Sequence, residues 1–321
     1  MGAYARPKVV VSKCLEFDAC RYNGDVIYND VIKKLMEYVD FVPVCPEVEI
    51  GLGTPRETIR IVKKEDQHLL VQPSTGRDVT KEMRLFSESY LAGVQDTDGF
   101  ILKTRSPSCG LKEVKVYAST EKGPAIGHAS GLFGGKVAEL FSHLAVEEEG
   151  RLNNFTIRDR FYTKLFTLAS FRRVMPNGLE AIKDFHRKNQ YLLMAYSNPT
   201  LKVMNRILRN IEKNGEEMTV KLYAKSLSKL FNRTSRNDSN RNVAKEIFKK
   251  FEMKLSAKEI AFFEELLDKY AAKKEAFSSI TTLLKSYAIR FEEHDVLQQT
   301  FFAPYPEILL EISDSGKGRD Y

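Results

Sequence analysis

The 321-residue chain contains no uncharged apolar stretch near the ~18 residues that a membrane-spanning helix needs. Its opening MGAYARPKVVVSKC has only a short apolar run, which predicts a cytoplasmic protein with no membrane partner. Cysteine is scarce, at four residues, and no pair of C-x-x-C knuckles is present, which excludes a common zinc ribbon. The five histidines, His68, His128, His143, His186 and His294, are scattered with no pair at metal-ligand spacing, so no zinc site is expected. The glycine-bearing segments GLGTPR and GLFGGK fit neither a phosphate-binding P-loop nor a dinucleotide fingerprint, so neither NTP nor NAD use follows. There is no internal repeat and no heptad series.

What is present is ordinary globular material, 43% hydrophobic and 29% charged, long enough for two domains. The net charge of +7 is unevenly spread. Residues 1–149 carry 19 Lys and Arg against 22 Asp and Glu, residues 150–300 carry 29 against 17, and the remaining tail 2 against 4. A basic second half points to a polyanionic partner such as nucleic acid.

The first half alternates strand and helix signals. PKVVVSKC and FVPVCP read as short β-branched strands, VIYNDVIKKLMEYV and DVTKEMRLFSESYLAGVQ have helical spacing, TIRIVKKEDQHLLVQ reads as a hairpin, and GFILKT as a strand. Glycines at 123, 127, 131, 134 and 135 suggest a loop before a last helix, GKVAELFSHL, and Glu147 to Asn154 reads as a linker. Helical segments dominate after it, near 155–173, 178–196, 199–213, 218–232, 240–252, 256–271 and 273–287, with a polar, basic break at Asn232 to Asn242. The expectation is a Rossmann-like α/β domain over 1–148 followed by an all-α domain over 149–321.

All four cysteines fall in the first third, and Cys14, Cys45 and Cys109 each follow a predicted strand. In a parallel sheet the loops leaving the strand carboxyl ends gather on one edge, so thiols far apart in sequence can meet. Three thiolates without a neighbouring histidine suit a soft metal centre, iron–sulfur clusters being the standard case. If only three of the four cysteines bind, one iron keeps an open position and acts as a Lewis acid. Small, inert cysteines buried near turns are the bland alternative.

The motifs S-x-C-L with C-R-Y-N-G, V-C-P-E with G-L-x-T-P-R, T-G-x-D-V-T and L-K-x-R-S-P-S-C-G, in this order over residues 6–146, resemble the signature series of the thiouracil desulfidase family. The second half, opening E-E-E-G-R-L and containing F-H-R-K-N-Q-Y-L-L-M-A-Y, resembles the helical domain of the subgroup acting on 4-thiouridine in tRNA. The resemblance implies a [4Fe-4S] cluster on Cys14, Cys45 and Cys109 with one open iron, and hydrolytic C–S cleavage of a thiocarbonyl. Cys20 then becomes a spare thiol or, preferably, a packing residue. Glu47, two residues beyond Cys45, and Ser106, three before Cys109, are the candidates for proton handling. The equal alternatives are an ion pair of Glu47 with Arg21 or Arg56, and a turn-shaping role for Ser106 and Ser108. Arg21 and Tyr22 could hold a phosphate or stack on a base. Lys103 and Arg105 make the surroundings electropositive, which favours thiolates.

In the second half, Arg206, Arg209, Lys221, Lys225, Lys229, Arg233, Arg236 and Arg241 recur at helix-like spacing and are the candidate RNA contacts, a solvated helix face being the alternative for any one of them. Tyr191, Tyr196 and Tyr223 could stack on bases or lie in the core. The resulting expectation is a desulfidase converting 4-thiouridine in tRNA to uridine with release of sulfide. The alternatives are the same reaction on free thiouracil or a thionucleoside, and a non-enzymatic RNA-binding iron–sulfur protein.

Overall fold

The computed structural model describes residues 4–94, 96–232 and 237–311, and the chain divides into two compact units, Met1–Ser170 with Ile308–Tyr321, and Phe171–Glu307. The first is α/β and the second, the smaller, is all-α. Among the described residues no helix is long and apolar enough to cross a membrane.

The first unit is built on two four-stranded sheets. One contains β1 (Lys8–Ser12), β2 (Asp40–Val44), β5 (Gly99–Leu102) and β8 (Ala145–Glu148) in the order β2-β1-β5-β8, with every neighbouring pair parallel. The central strands read VVV and GFIL because parallel strands covered on both faces are near-continuous apolar runs; Val9 to Ser12 and all of β5 are buried. The other contains β3 (Arg60–Lys64), β4 (Gln67–Val71), β6 (Val114–Tyr117) and β7 (Ala125–Ala129) in the order β4-β3-β6-β7, with a parallel β3–β6 pair between two antiparallel ones. Val10, Phe100 and Leu102 from the first sheet share a core with Ile61, Leu70 and Val116 from the second. Helices α3 (Thr80–Ala92) and α4 (Leu132–Leu140) add Met83, Leu91, Phe133 and Val137 to it.

Three expectations for this unit need correction. The helix expected over VIYNDVIKKLMEYV is α1 (Asp30–Leu35), only six residues. Ile27 instead exchanges backbone hydrogen bonds with the segment around Cys14, and the Asn29 side chain then caps Ile32 N–H at 3.0 Å. The glycine-bearing stretch is not a loop: Gly127 lies in β7 and Gly134 and Gly135 in α4. The Glu147–Asn154 segment is not a linker either. It closes β8, continues into a 3-10 turn (Arg151–Asn153), and buries Glu148 and Glu149 to 3% and 5% exposure.

A four-residue turn of helix, α2 (Pro46–Glu49), follows β2, and α5 (Phe155–Val174) leads out of the first unit. The second unit starts with α6 (Gly178–Arg209), which is two helices meeting at Ser197, where φ and ψ are −164° and 97°. Pro199 cannot donate to the helix ladder, and the Ser197 hydroxyl accepts from Thr200 N–H at 3.3 Å, so the kink is a capped restart. The short α7 (Ile211–Asn214) leads to α8 (Glu216–Leu230), which packs on α6, with Phe171, Phe185 and Tyr223 in ring contact. Helices α9 (Asn237–Phe248), α10 (Ala257–Ala271) and α11 (Phe277–Arg290) enclose a second core around stacked Phe248 and Phe263, and α12 (His294–Leu297) closes it with Val296. Of the expected polar break, 233–236 lie outside the described residues, and Asn237 already opens α9.

Candidate functional site

Strand β1 lies between β2 and β5, all parallel, so the chain leaves three adjacent strands on the same sheet edge. Cys14 sits two residues beyond β1, Cys45 directly after β2, and Cys109 in the longer loop after β5; together with Cys20 they border one cavity of about 230 Å³. All four are free thiols. The carboxyl ends of strands in an open α/β sheet are where ligands bind, and here they deliver sulfur.

The Cys109 loop is held by the start of α4. The N–H groups of Phe133 and Gly134 donate to Ser108 O at 3.0 and 2.9 Å, Leu132 N–H to Pro107 O at 3.2 Å, and Gly131 N–H to Gly110 O at 2.8 Å. The first N–H groups of a helix have no partner within it, so the loop carbonyls satisfy them. This contact requires glycine. A Cβ at Gly131 would stand 2.5 Å from Ser108 O, and one at Gly134 would collide with the Cys109 and Gly110 carbonyls. The glycine run thus serves the cysteine site.

A continuous polar network borders the cavity. Arg56, with a side chain only 4% exposed, grips Glu47 Oε2 through Nε at 2.8 Å and Nη2 at 2.7 Å, while its Nη1 donates to the carbonyls of Cys20 at 2.9 Å and Gly53 at 2.8 Å. The other Glu47 oxygen accepts from Ser108 Oγ at 2.7 Å. Ser108 Oγ lies 2.9 Å from Ser106 Oγ, and Ser106 Oγ accepts from Cys109 N–H at 3.1 Å. Because the single Ser108 proton is committed to Glu47, the Ser106 hydroxyl is the donor in the serine pair. The order is Ser106 to Ser108 to Glu47, with Arg56 behind the carboxylate.

Of the sequence candidates, Glu47 and Ser106 are both in this network, and the ion-pair partner of Glu47 is Arg56 rather than Arg21. Ser108 is buried, contacts the carboxylate directly and lies 3.8 Å from Cys109 Sγ, a closer involvement than a turn residue has. Two further residues escaped the sequence reading. Ser12, the last residue of β1, accepts from Lys103 N–H at 2.9 Å and lines the cavity together with Cys109. Glu149 pairs with Lys103 and accepts from Thr104 N–H at 2.6 Å and Thr104 Oγ1 at 2.9 Å, anchoring the start of the Cys109 loop. The signal for Glu149 was present as a carboxylate run ending a strand, but its burial depends on β8 lying beside β5.

The thiols shift one another. Burial, reinforced by the charge of Cys45, pushes Cys14 up to about 12, with Lys103 opposing. Burial raises Cys109 as well, with Ser12 opposing and Cys14 and Cys45 adding to the rise. The Cys45 thiol lies 3.9 Å from the Cys20 carbonyl oxygen, and the interaction between the two thiols raises Cys20 and draws Cys45 down. Three thiols that oppose one another's ionisation on one cavity are stable together as thiolates only with positive charge between them, and sulfur donors select a soft metal group. Among the described residues no three His, Cys, Asp or Glu side chains close on a single-ion position, so the thiols border the cavity and do not pinch one point.

In the helical unit, Lys221, Lys225 and Lys229 lie exposed along one face of α8, opposite buried Tyr223, Leu227 and Leu230, and Lys221 pairs with Glu217 at 2.6 Å. Arg206 and Arg209 are exposed at the end of α6, Arg241 is partly buried and 3.8 Å from Asp268, and Arg233 and Arg236 lie outside the described residues. Tyr191 and Tyr223 are core residues, and Tyr196 packs edge-on against Phe231.

Residues 9–149 match the 2-thiouracil desulfurase family, and residues 190–306 match a protein family of unknown function, DUF1722. The uncharacterized protein YbbK of Bacillus subtilis (strain 168) is 34% identical over 111 residues, covering 32% of this chain and 72% of YbbK. The solved structure of the [4Fe-4S]-dependent thiouracil desulfidase TudS is 28% identical, covers 46% of this chain and 93% of TudS, and superposes with a TM-score of 0.36. Through its α/β unit, with the thiol cavity at the sheet edge, this chain belongs to the 2-thiouracil desulfurase family.

Proposed function

We propose that the protein is an iron–sulfur-dependent desulfidase that hydrolyses the thiocarbonyl of thiolated uracil, with a [4Fe-4S] cluster held by Cys14, Cys45 and Cys109. The observation that carries this reading is the meeting of three thiols from three adjacent parallel strand ends with the Glu47–Ser108 pair on one cavity. Membership of the desulfurase family supplies the reaction, and the all-sulfur donor set supports the cofactor. When bound, the cluster offers a soft Lewis acid to the thiocarbonyl sulfur and a place for sulfide to leave.

The chain's own residues handle protons. Overall, water adds to the carbon as a C–O bond forms, the C–S bond breaks, and hydrogen sulfide leaves with no net electron transfer. Glu47, fixed by Arg56, is the base at the end of the serine relay; a proton taken up at Ser106 reaches it through Ser108. The returning proton follows the same path to the departing sulfur. Ser12 and Ser106 hold the Cys109 loop in register from both sides.

The finer substrate in this proposal is 4-thiouridine in tRNA. The excess of basic residues over 150–300 and the exposed lysine face of α8 support it, since phosphates along an RNA backbone give such a stripe a salt-sensitive grip. Free thiouracil or a thionucleoside is the second reading, favoured by a small cavity bordered by a single unit. Sulfide release from thiolated tRNA and from free 4-thiouridine, measured anaerobically over a salt series, separates them. A tRNA rate that falls steeply with salt and exceeds the nucleoside rate is expected; equal, salt-independent rates overturn the RNA reading. An intact cluster with no sulfide release from either substrate overturns the enzyme reading.

A further inference from the structure

The T-G-R-D-V-T motif, Thr75 to Thr80, takes no part in lining the thiol cavity. It folds as a turn that closes on the end of β4. Gly76 supplies the left-handed φ of +71°, its N–H donates to Gln72 O at 2.9 Å, Gln72 N–H donates to Arg77 O at 2.8 Å, and Val79 N–H to Leu70 O at 2.9 Å. Leu70 N–H donates in return to Thr80 Oγ1 at 2.7 Å, and Asp78 Oδ1 accepts from Thr80 N–H at 2.9 Å. These bonds close the turn without the Gln72 side chain.

That side chain is buried and reaches the other way. Gln72 follows the last β3–β4 pair, Arg60 with Val71, and where this ladder stops its Nε2 donates to Glu57 O at 3.2 Å. Its Oε1 accepts from Thr75 Oγ1 at 3.2 Å, and Thr75 Oγ1 itself accepts from Arg77 N–H at 3.3 Å, so the amide is oriented with its donor end toward Glu57. Residues 52–59, between α2 and β3, are neither helix nor strand. With no ladder to satisfy its backbone, such a segment is placed by individual bonds. Around Arg56 these are its own N–H to Tyr22 O at 2.7 Å and the Gln72 amide on the next carbonyl.

The Arg56 side chain leaves the backbone between those two bonds and grips Glu47 Oε2 through Nε and Nη2. A planar guanidinium matches a carboxylate over a narrow range of distances and angles, so a shift of the backbone at Arg56 passes directly to Glu47. We propose that Gln72 is a positioning residue for the reaction: by holding the Glu57 carbonyl it sets the backbone from which Arg56 fixes Glu47, and the Thr75–Thr80 turn serves to orient that amide. The second sheet thereby sets the geometry of a carboxylate on the edge of the first. This rests on the desulfidase reading for the effect on rate, but not for the placement of Arg56.

Two readouts on the full-length reconstituted protein test this, sulfide release from free 4-thiouridine and backbone hydrogen exchange over residues 53–59. Gln72→Met is expected to lower kcat about tenfold with KM changed less than about twofold and iron content unchanged, the pattern of a misplaced catalytic group, and to speed exchange over 53–59. Thr80→Val removes the acceptor of Leu70 N–H in the same turn but no bond to the Arg56 segment, and is expected to leave kcat and that exchange unchanged. In an Arg56→Lys background Gln72→Met should cost less than about twofold, because two residues acting through one path are not additive. Should Gln72→Met fail to fold, Thr75→Val, which removes the hydroxyl that orients the amide, is held to the same expectations in its place. Equal losses of kcat in the position-72 and Thr80 variants, additive losses with Arg56→Lys, or unchanged exchange over 53–59 each overturn the proposal. A wild type with a full cluster and no sulfide release removes the desulfidase reading instead, and the exchange over 53–59 then decides the placement of Arg56 alone.

Discussion

The two units bury polar side chains in different ways. In the helical unit several buried polar side chains are closed off within the core: His186 lies between Tyr223 at 3.1 Å and Asn205 at 2.7 Å, Asn189 between Phe185 O and Thr300, and the Thr219 hydroxyl donates to Gly215 O. In the α/β unit the chain from Arg56 through Glu47 and Ser108 ends at Ser106, which is only half-buried and lines a cavity. A closed network holds helices together; one with an open end beside thiols can pass a proton. Burial of polar atoms is therefore not the mark of a site, whereas an unfinished network is.

That contrast can be broken most severely at the thiols. Cys109→Ala is expected to abolish the cluster and sulfide release, whereas Cys20→Ala keeps both; iron and sulfide analysis after anaerobic reconstitution reads them directly. A full complement of iron in Cys109→Ala would remove the three-ligand site. Next in size, Glu47→Gln is expected to lower kcat by about 10²–10⁴-fold with the cluster retained, the range for loss of a general base. Ser108→Ala should fall further than Ser106→Ala, because Ser108 alone touches the carboxylate. Equal and small losses in single-turnover assays would show that the relay is only structural.

Arg56→Met removes one partner of a buried ion pair and is expected to destabilise the α/β unit by about 3 kcal/mol, checked by denaturant unfolding of the full chain. The smallest expected effect lies in the helical unit. Ser256→Ala deletes the capping box formed with Glu259 at the start of α10, at a cost of about 1 kcal/mol with no change in sulfide release. If Ser256→Ala impaired turnover of the free nucleoside, the assignment of chemistry to the α/β unit alone would not hold.

Legibility followed sequence distance. The strands ending at Cys14, Cys45 and near Cys109 were readable because β-branched runs and the turns after them are local signals. The second sheet was only half readable: the β3–β4 hairpin carries its own pattern, but β6 and β7 are short, and β7 has exposed residues and a glycine. Glu149 looked like linker because its partners Lys103 and Thr104 are more than forty residues away. In the helical unit, spacing placed the lysines of α8 correctly on one exposed face, because amphipathic periodicity is itself local.

By itself the sequence determined the α/β then all-α order, the placing of Cys14, Cys45 and Cys109 after strands, and the charge imbalance between the halves, since each is written in composition, period or motif. Only the tertiary structure decided that β1 lies between β2 and β5, which brings the three thiols to one cavity. It also decided that Arg56, not Arg21, holds Glu47 and that Ser108 stands between Glu47 and Ser106. The physical reason is the same in each case. A hydrogen bond or an ion pair depends on distances of about 3 Å between groups tens of residues apart, and only the packing of the sheets sets those.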